Sequence, residues 1–359
     1  MLIVTRWLWA KRSLSARIVR GTLLPPSLLY DGVMRARARA YATGLLPSEI
    51  PAVPTVAVGN LTVGGSGKTP IAAWIAEYYA AHGRRPGIVL RGYGGDEGLV
   101  HHERLPGAVV IESPDRLAGA KQAEDDGADV IVLDDAFQRL DIGRDLNVAV
   151  VSAESVRAVR WTLPAGPWRE RLGALRRADL IVVTRKRATR AAAHVVLQQV
   201  RRAAPRAHAA VARLGVTGFQ GLLSRRSQDA ADLAGARVLV CAGIADPDSF
   251  ASQCRALGAC VQQLPVTDHH LFSARDVQRL LHAARQVDYV VVTEKDAVKL
   301  RHLWPVTAPE PLVSRLDVTW ERGRAEVETA LDAAVADVGQ LAGSACVRCT
   351  DGVQTDNDR

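Results

Sequence analysis

Apolar positions in the first part of the chain fall into short, unbroken runs separated by longer amphipathic stretches. Residues 53–58, 87–90, 109–111, 130–133, 148–151 and 180–183 are apolar and largely β-branched. Such runs predict strands buried on both faces of a parallel sheet. Residues 69–81 have helical spacing, and helical segments separate the other runs, so the class is α/β. Residues 209–214 read as a connecting strand and 224–229 as a polar loop. A second α/β unit begins near Val238, with strands at 238–241 and 289–293 and helices at 249–257 and 273–285. Ser273 and Asp276 form an S-x-x-D capping box at the start of the last helix. There is no solenoid repeat, and the polar stretch 343–359 is expected to be disordered.

At 359 residues the chain is long enough for two cores. The five cysteines form no framework, which fits a reducing compartment. Cys346 and Cys349 make a lone CxxC, a weak metal signal without a second pair. The net charge of +8 is uneven: residues 1–50 carry +6, residues 157–226 carry +14, and the remainder is net −12. Two basic blocks on an acidic chain point to a polyanionic partner or to solvated helix faces. Near the start, Trp7, Leu8 and Trp9 lie beside Arg6, Lys11 and Arg12, and Leu23, Leu24, Leu28, Leu29 and Tyr30 follow. No run there is long enough to span a bilayer, and the charges after the first run do not fit a signal peptide. The mixture suits a helix lying in an anionic membrane surface. It equally suits a helix docked on its own domain.

Chemistry concentrates at two strand ends. Between the strand at 53–58 and the helix at 69–81 lies GNLTVGGSGKTP, residues 59–70. Its glycines let Thr62, Val63, Gly64, Gly65, Ser66 and Gly67 turn backbone N–H groups towards a nucleotide phosphate, and Lys68 reaches the β- and γ-phosphates. Thr69 is placed to ligate Mg²⁺. The strict motif has glycine where Thr62 stands. Downstream, the strand at 130–133 ends in Asp134 and Asp135, where such enzymes hold Mg²⁺ or its waters.

GNLTVGGSGKTP, DDAFQ, LPAGPWRE, DHH and TEKDAVK occur in this order, and over residues 28–318 the sequence resembles the tetraacyldisaccharide 4′-kinase family. The resemblance implies two α/β/α sandwich domains with mainly parallel sheets, a P-loop NTPase-like first domain and a hinge of two strands. It implies transfer of the γ-phosphate of ATP to the 4′-hydroxyl of an acylated glucosamine disaccharide 1-phosphate, making lipid IVA for lipid A, at the cytoplasmic face of the bacterial inner membrane. By similarity Lys68 and Thr69 serve phosphate and metal, and Asp134, Asp135 and Glu170 serve Mg²⁺. Asp96 and His269 form a catalytic dyad on the sugar hydroxyl. Asn60, Arg91 and Tyr93 are substrate candidates. A carboxylate within reach of a sugar hydroxyl can take its proton as the P–O bond forms, and a histidine can orient that carboxylate. Three departures stand out. The segment before Asp96 is short. Gly98 replaces the usual proline. Ala136 replaces the usual glycine, and if that position needs positive φ the turn is strained.

The expected organisation is a membrane-associating segment at 1–30, a P-loop kinase domain at 31–208, a hinge and second α/β domain at 209–318, a C-terminal helix at 319–342 and a tail at 343–359. A monomer is expected. Nucleic acid is not an expected partner, since no recognised module is present and aromatics are few. The rival readings are a membrane-associated P-loop NTPase acting as an assembly factor, and an inactive kinase relative. TEKD superficially matches a GTPase base-reading motif, but its spacing is wrong and it lies in the second unit.

Overall fold

The structure, a computed structural model, describes residues 9, 13–92, 95–155, 160–244 and 246–347. Two helices come first, α1 (Leu14–Thr22) and α2 (Leu24–Ala42). Strands and helices then alternate: β1 (Thr55–Asn60), α3 (Lys68–Ala81), β2 (Pro86–Leu90), α4 (Asp96–Arg104), β3 (Val109–Glu112), α5 (Arg116–Asp125), β4 (Val130–Asp134), β5 (Leu146–Ser152), β6 (Leu180–Arg185) and α6 (Arg190–Ala203). Every residue of β1, β2, β4 and β5 is buried, as unbroken apolar runs require. These strands are parallel in the order β3-β2-β4-β1-β5-β6. The chain leaves β1 with β4 on one side and β5 on the other. The ends of β1 and β4 therefore open a crevice at a topological switch point, the place where doubly wound sheets bind ligands.

β7 (His208–Gly221) lies parallel to β6 and carries the chain out of this half. There follow β8 (Ser227–Asp229), β9 (Arg237–Cys241), α7 (Pro247–Ala256), β10 (Cys260–Leu264), α8 (Ala274–Ala284), β11 (Tyr289–Thr293) and α9 (Glu294–Leu300). β12 (Leu312–Arg322) returns antiparallel to β7, and α10 (Arg324–Val347) closes the described chain. The expected α/β class with a two-stranded joint holds, and the two sandwiches share one 12-stranded sheet through the β7–β12 pair. The capping box at Ser273 and Asp276 is present.

Some boundaries differ from expectation. The connecting strand runs on to Gly221, because pairing with β12 supplies hydrogen bonds through a stretch that Gly215 and Gly218 make unlike a strand. Residues 319–322 belong to β12 rather than to the C-terminal helix, which extends to Val347. That helix packs on the first half, where Tyr79 Oη donates to Leu331 O at 2.9 Å, and Trp320 of β12 meets Trp74 edge-on at 4.9 Å. Trp7, Leu8, Tyr93 and the tail residues 348–359, with Cys349, lie outside the described residues.

Candidate active site

The loop after β1 is held from beneath. Asn60 is buried, and its amide nitrogen donates to Ser66 Oγ at 2.7 Å. This gives the substrate candidate Asn60 a contact inside the loop. Thr184, at the end of β6, donates to Ser66 O at 2.6 Å, and Val63 N donates to Pro167 O at 2.8 Å. Gly64 and Gly67 have φ of 118° and 89°, and only glycine takes these without strain. Gly67 ends the loop as the N-cap of α3, whose first residues are Lys68 and Thr69. Thr62 and Ser66 are buried, while Val63, Gly64 and Gly65 face solvent.

The acidic turn lies beside this loop. Gly59 lets it approach: a Cβ there would sit 2.5 Å from Phe137 N. Ala136 N donates to Val58 O at 2.9 Å. The left-handed residue of the turn is Asp135, with φ of 55°, rather than Ala136, so alanine in place of glycine carries no such strain. Aspartate tolerates this conformation better than most residues. Asp135 faces Lys68 Nζ at 3.7 Å and takes two bonds from the Arg169 guanidinium, at 2.9 and 3.3 Å. Burial pushes its carboxyl up, but Lys68 and Arg169 more than offset this and hold it below the usual range. Asp134 is buried and accepts from Asp135 N at 2.8 Å. Burial pushes its carboxyl up against the pull of Lys68 and His101.

Glu170 is buried, and its Oε2 accepts from Arg177 at 2.8 Å and from Gln138 at 3.1 Å. Gln138 also donates to Asn60 O at 2.8 Å, joining the acidic turn to β1. Arg169, Gln138 and Arg177 were not singled out from the sequence. Arg169 and Gln138 carried a signal, because they complete the WRE and DDAFQ segments whose carboxylates were named. Arg91 follows β2 on the side of Arg116, whose charge it opposes.

Asp96 and His269 come from opposite halves. Gly95, with φ of 68°, turns the chain into α4, and Asp96 is its first residue, 2% exposed. Gly98 N donates to Glu112 Oε1 at 3.2 Å, a bond that proline could not make. His269 has φ of 53° and is steadied by its N–H donating to Gly243 O at 3.0 Å. Its Nδ1 lies 3.1 Å from Asp96 Oδ2, so two residues 173 positions apart are already in contact.

The family described as tetraacyldisaccharide-1-P 4′-kinase matches residues 19–336. The chain belongs to that family. Among its tetraacyldisaccharide 4′-kinase relatives, one from Geobacter sulfurreducens is 36% identical, covering 84% of this chain and 94% of its own. Another from Anaeromyxobacter sp. strain Fw109-5 is also 36% identical and covers 96% and 100%. LpxK from Aquifex aeolicus, crystallised in complex with ATP, shares the fold with a TM-score of 0.69 at 24% identity, over 88% of this chain and 99% of that one.

For this 4′-kinase family member, the donor set around the loop is one of hard oxygens. No group of three or more His, Cys, Asp or Glu forms a metal cage among the described residues. That is compatible with Mg²⁺, which takes one or two protein carboxylates and completes its shell with phosphate oxygens and water. The buried carboxylates Asp134 and Glu170, and Asp135 against its cations, fit a hard cation in that manner.

Proposed function

We infer that this chain transfers the γ-phosphate of ATP to the 4′-hydroxyl of an acylated glucosamine disaccharide 1-phosphate, a step of lipid A synthesis. The match of the 4′-kinase family to residues 19–336 carries the reading. In this reading the loop 62–67 cradles the phosphates, and Lys68 neutralises charge on the transferring group. Asp96 accepts the hydroxyl proton and His269 orients it. Arg169 and Lys68 hold Asp135 towards the phosphates. Thr69, Asp134, Asp135 and Glu170 are the residues that would hold Mg²⁺. Bound there, the ion would supply positive charge against the phosphate oxygens.

The seat of the lipid is the N-terminal helix pair, and the enzyme works at the cytoplasmic face of the inner membrane. Supporting this, α2 turns Ser27 and Asp31 inward. Ser27 and Asp31 are buried; Ser27 Oγ donates to Thr162 O at 2.8 Å, and Arg171 pairs with Asp31 at 3.0 Å. Its outward side carries Leu28, Leu29 and Val33, exposed by 51–71%, with Ile18 and Val19 of α1 alongside. Exposed apolar side chains on a basic helix suit an interface. No described helix is long and apolar enough to cross a membrane. Trp9, which donates to Pro164 O at 3.2 Å, anchors the start of the segment to the protein.

The test presents the acylated disaccharide 1-phosphate in anionic vesicles with ATP and graded Mg²⁺. Mass spectrometry reads the product, and sedimentation reads vesicle binding. Magnesium-dependent 4′-phosphate formation by vesicle-bound protein is expected. ATP hydrolysis without transfer would refute the kinase reading.

A further inference from the structure

Phosphate binding leaves the TEKDAVK segment, residues 293–299, unexplained. Thr293 ends β11 and caps α9, its hydroxyl donating to Asp296 Oδ2 at 2.6 Å. Gly243 N donates to the same oxygen at 3.1 Å, and Gly243 O accepts from His269 N at 3.0 Å. One buried carboxylate thus ties α9 to the loop that presents His269. The remaining charged residues of the segment reach across to α4 in the other half. Glu294 faces Arg104 at 3.6 Å, Lys295 pairs with Glu97, and Lys299 Nζ lies 3.3 Å from Asp96 Oδ2. Lys295 and Lys299 are one helical turn apart and meet two consecutive carboxylates.

The Asp96 contact differs in kind from its neighbour. The Lys295–Glu97 pair is 29% and 28% exposed, whereas Lys299 and Asp96 are 14% and 2% exposed. Lys299 and His269 converge on the same oxygen, Oδ2, while Oδ1 is buried and has no hydrogen-bond partner among the described residues. One donor leaves a carboxylate free to swing. Two donors on one oxygen, from separate elements, fix its rotation and leave the lone pairs of the other oxygen free. The histidine side chain, 44% exposed, is the looser of the two. Lys299 is itself held from behind by Asp296, at 3.9 Å.

We propose that Lys299 is a positioning residue for phosphoryl transfer: it grips Asp96 through Oδ2 and turns Oδ1 towards the acceptor hydroxyl. This rests on the reading of Asp96 as proton acceptor. In the step, the hydroxyl oxygen bonds to the γ-phosphorus and its proton passes to Asp96 Oδ1. The bond from the γ-phosphorus to the bridging oxygen breaks, and ADP leaves with that electron pair.

The test compares Lys299→Met, Lys299→Arg and Lys295→Met in the full-length protein, reading kcat, both KM values and thermal midpoint. Lys299→Met should lower kcat by about 10²-fold, the scale of a misplaced reacting group, with KM for ATP and the midpoint near wild type. Lys299→Arg should recover most of the loss, and Lys295→Met should change kcat little. Added to Asp96→Asn, Lys299→Met should cost nothing further. If Lys299→Met melts early, Lys299→Gln, which keeps a donor on a shorter stem, is read in the same way. Equal kcat losses in the Lys295 and Lys299 variants, tracking the midpoint, would make the lysine a strut and overturn the proposal. Wild-type kcat in Lys299→Met beside a dead Asp96→Asn would overturn the role of Lys299 alone. An active Asp96→Asn would remove the reading of Asp96 beneath it.

Discussion

The proposed phosphate side and the proposed acceptor side of this crevice are built in opposite ways. On the phosphate side, functional groups hang from the ends of neighbouring parallel strands. Ser66, Gln138 and Thr184 lock the loop and the acidic turn to buried backbone. On the acceptor side, Asp96 begins a short helix of one half and meets His269 and Lys299 of the other, 173 and 203 positions away. The first site is as rigid as the sheet beneath it. The second exists only while the halves remain in register, so geometry there depends on the β7–β12 joint. A phosphate site that must bind ATP repeatedly gains from rigidity. An acceptor site that must admit a large lipid gains from being assembled across a joint.

The contrast can be broken at its strongest point first. Lys68→Ala should lower transfer by roughly 10³–10⁵-fold, the scale of withdrawing a cation from a transferring phosphoryl group. Near-normal turnover in that variant would move the ATP site elsewhere. On the acceptor side, Asp96→Asn and His269→Ala should each cost about 10²–10⁴-fold in kcat, with ATP affinity close to wild type. If both act on one proton transfer, as proposed, the double variant should be little worse than the more damaged single one. Multiplicative losses would show two independent residues and dissolve the dyad. The mildest test falls on the rigid side. Gly67→Ala adds a Cβ 2.2 Å from Leu214 Cδ1 at a φ of 89°. The leucine tip can move aside, but the backbone strain remains, at about 1–3 kcal/mol. The variant should bind ATP more weakly by isothermal titration while its affinity for the acceptor is unchanged. An equal loss for both ligands would mean that the two sides are less separable than the fold implies.

These two styles of construction also explain what the amino-acid sequence made legible. Runs such as 130–133 are apolar because both faces of β4 are covered, so periodicity alone announces the strand. The carboxylates that follow then stand at its end by necessity. The phosphate loop was readable for the same reason, since a glycine-rich turn between such a strand and a helix has few other uses. β12 was harder. From Arg315 onward its residues are half-buried or exposed and include Arg315, Asp317 and Glu321, and it becomes a strand by pairing with β7. The Lys299–Asp96 contact had no local signal, because nothing near either residue announces a partner so distant. For Asp96 and His269, motif resemblance supplied what physical patterning could not. Gly98 and Ala136 looked like defects in isolation. Glu112 and the φ of Asp135 account for both.

The C-terminal helix adds a constraint of order in time. Val327, Leu331 and Ala334 of α10 complete the same buried cluster as Ile71, Ile75 and Tyr79 of α3, whose first turn carries Lys68 and Thr69. A ribosome delivers α3 well before α10, with the whole second half in between. Until residue 334 has emerged, the helix that begins at the phosphate loop lacks part of its apolar cover. The nascent chain must carry that exposed surface while the intervening residues are made, the condition under which partly made α/β chains aggregate or engage chaperones. Translation stopped just short of α10 would leave every proposed catalytic side chain in place and the nucleotide half unfinished.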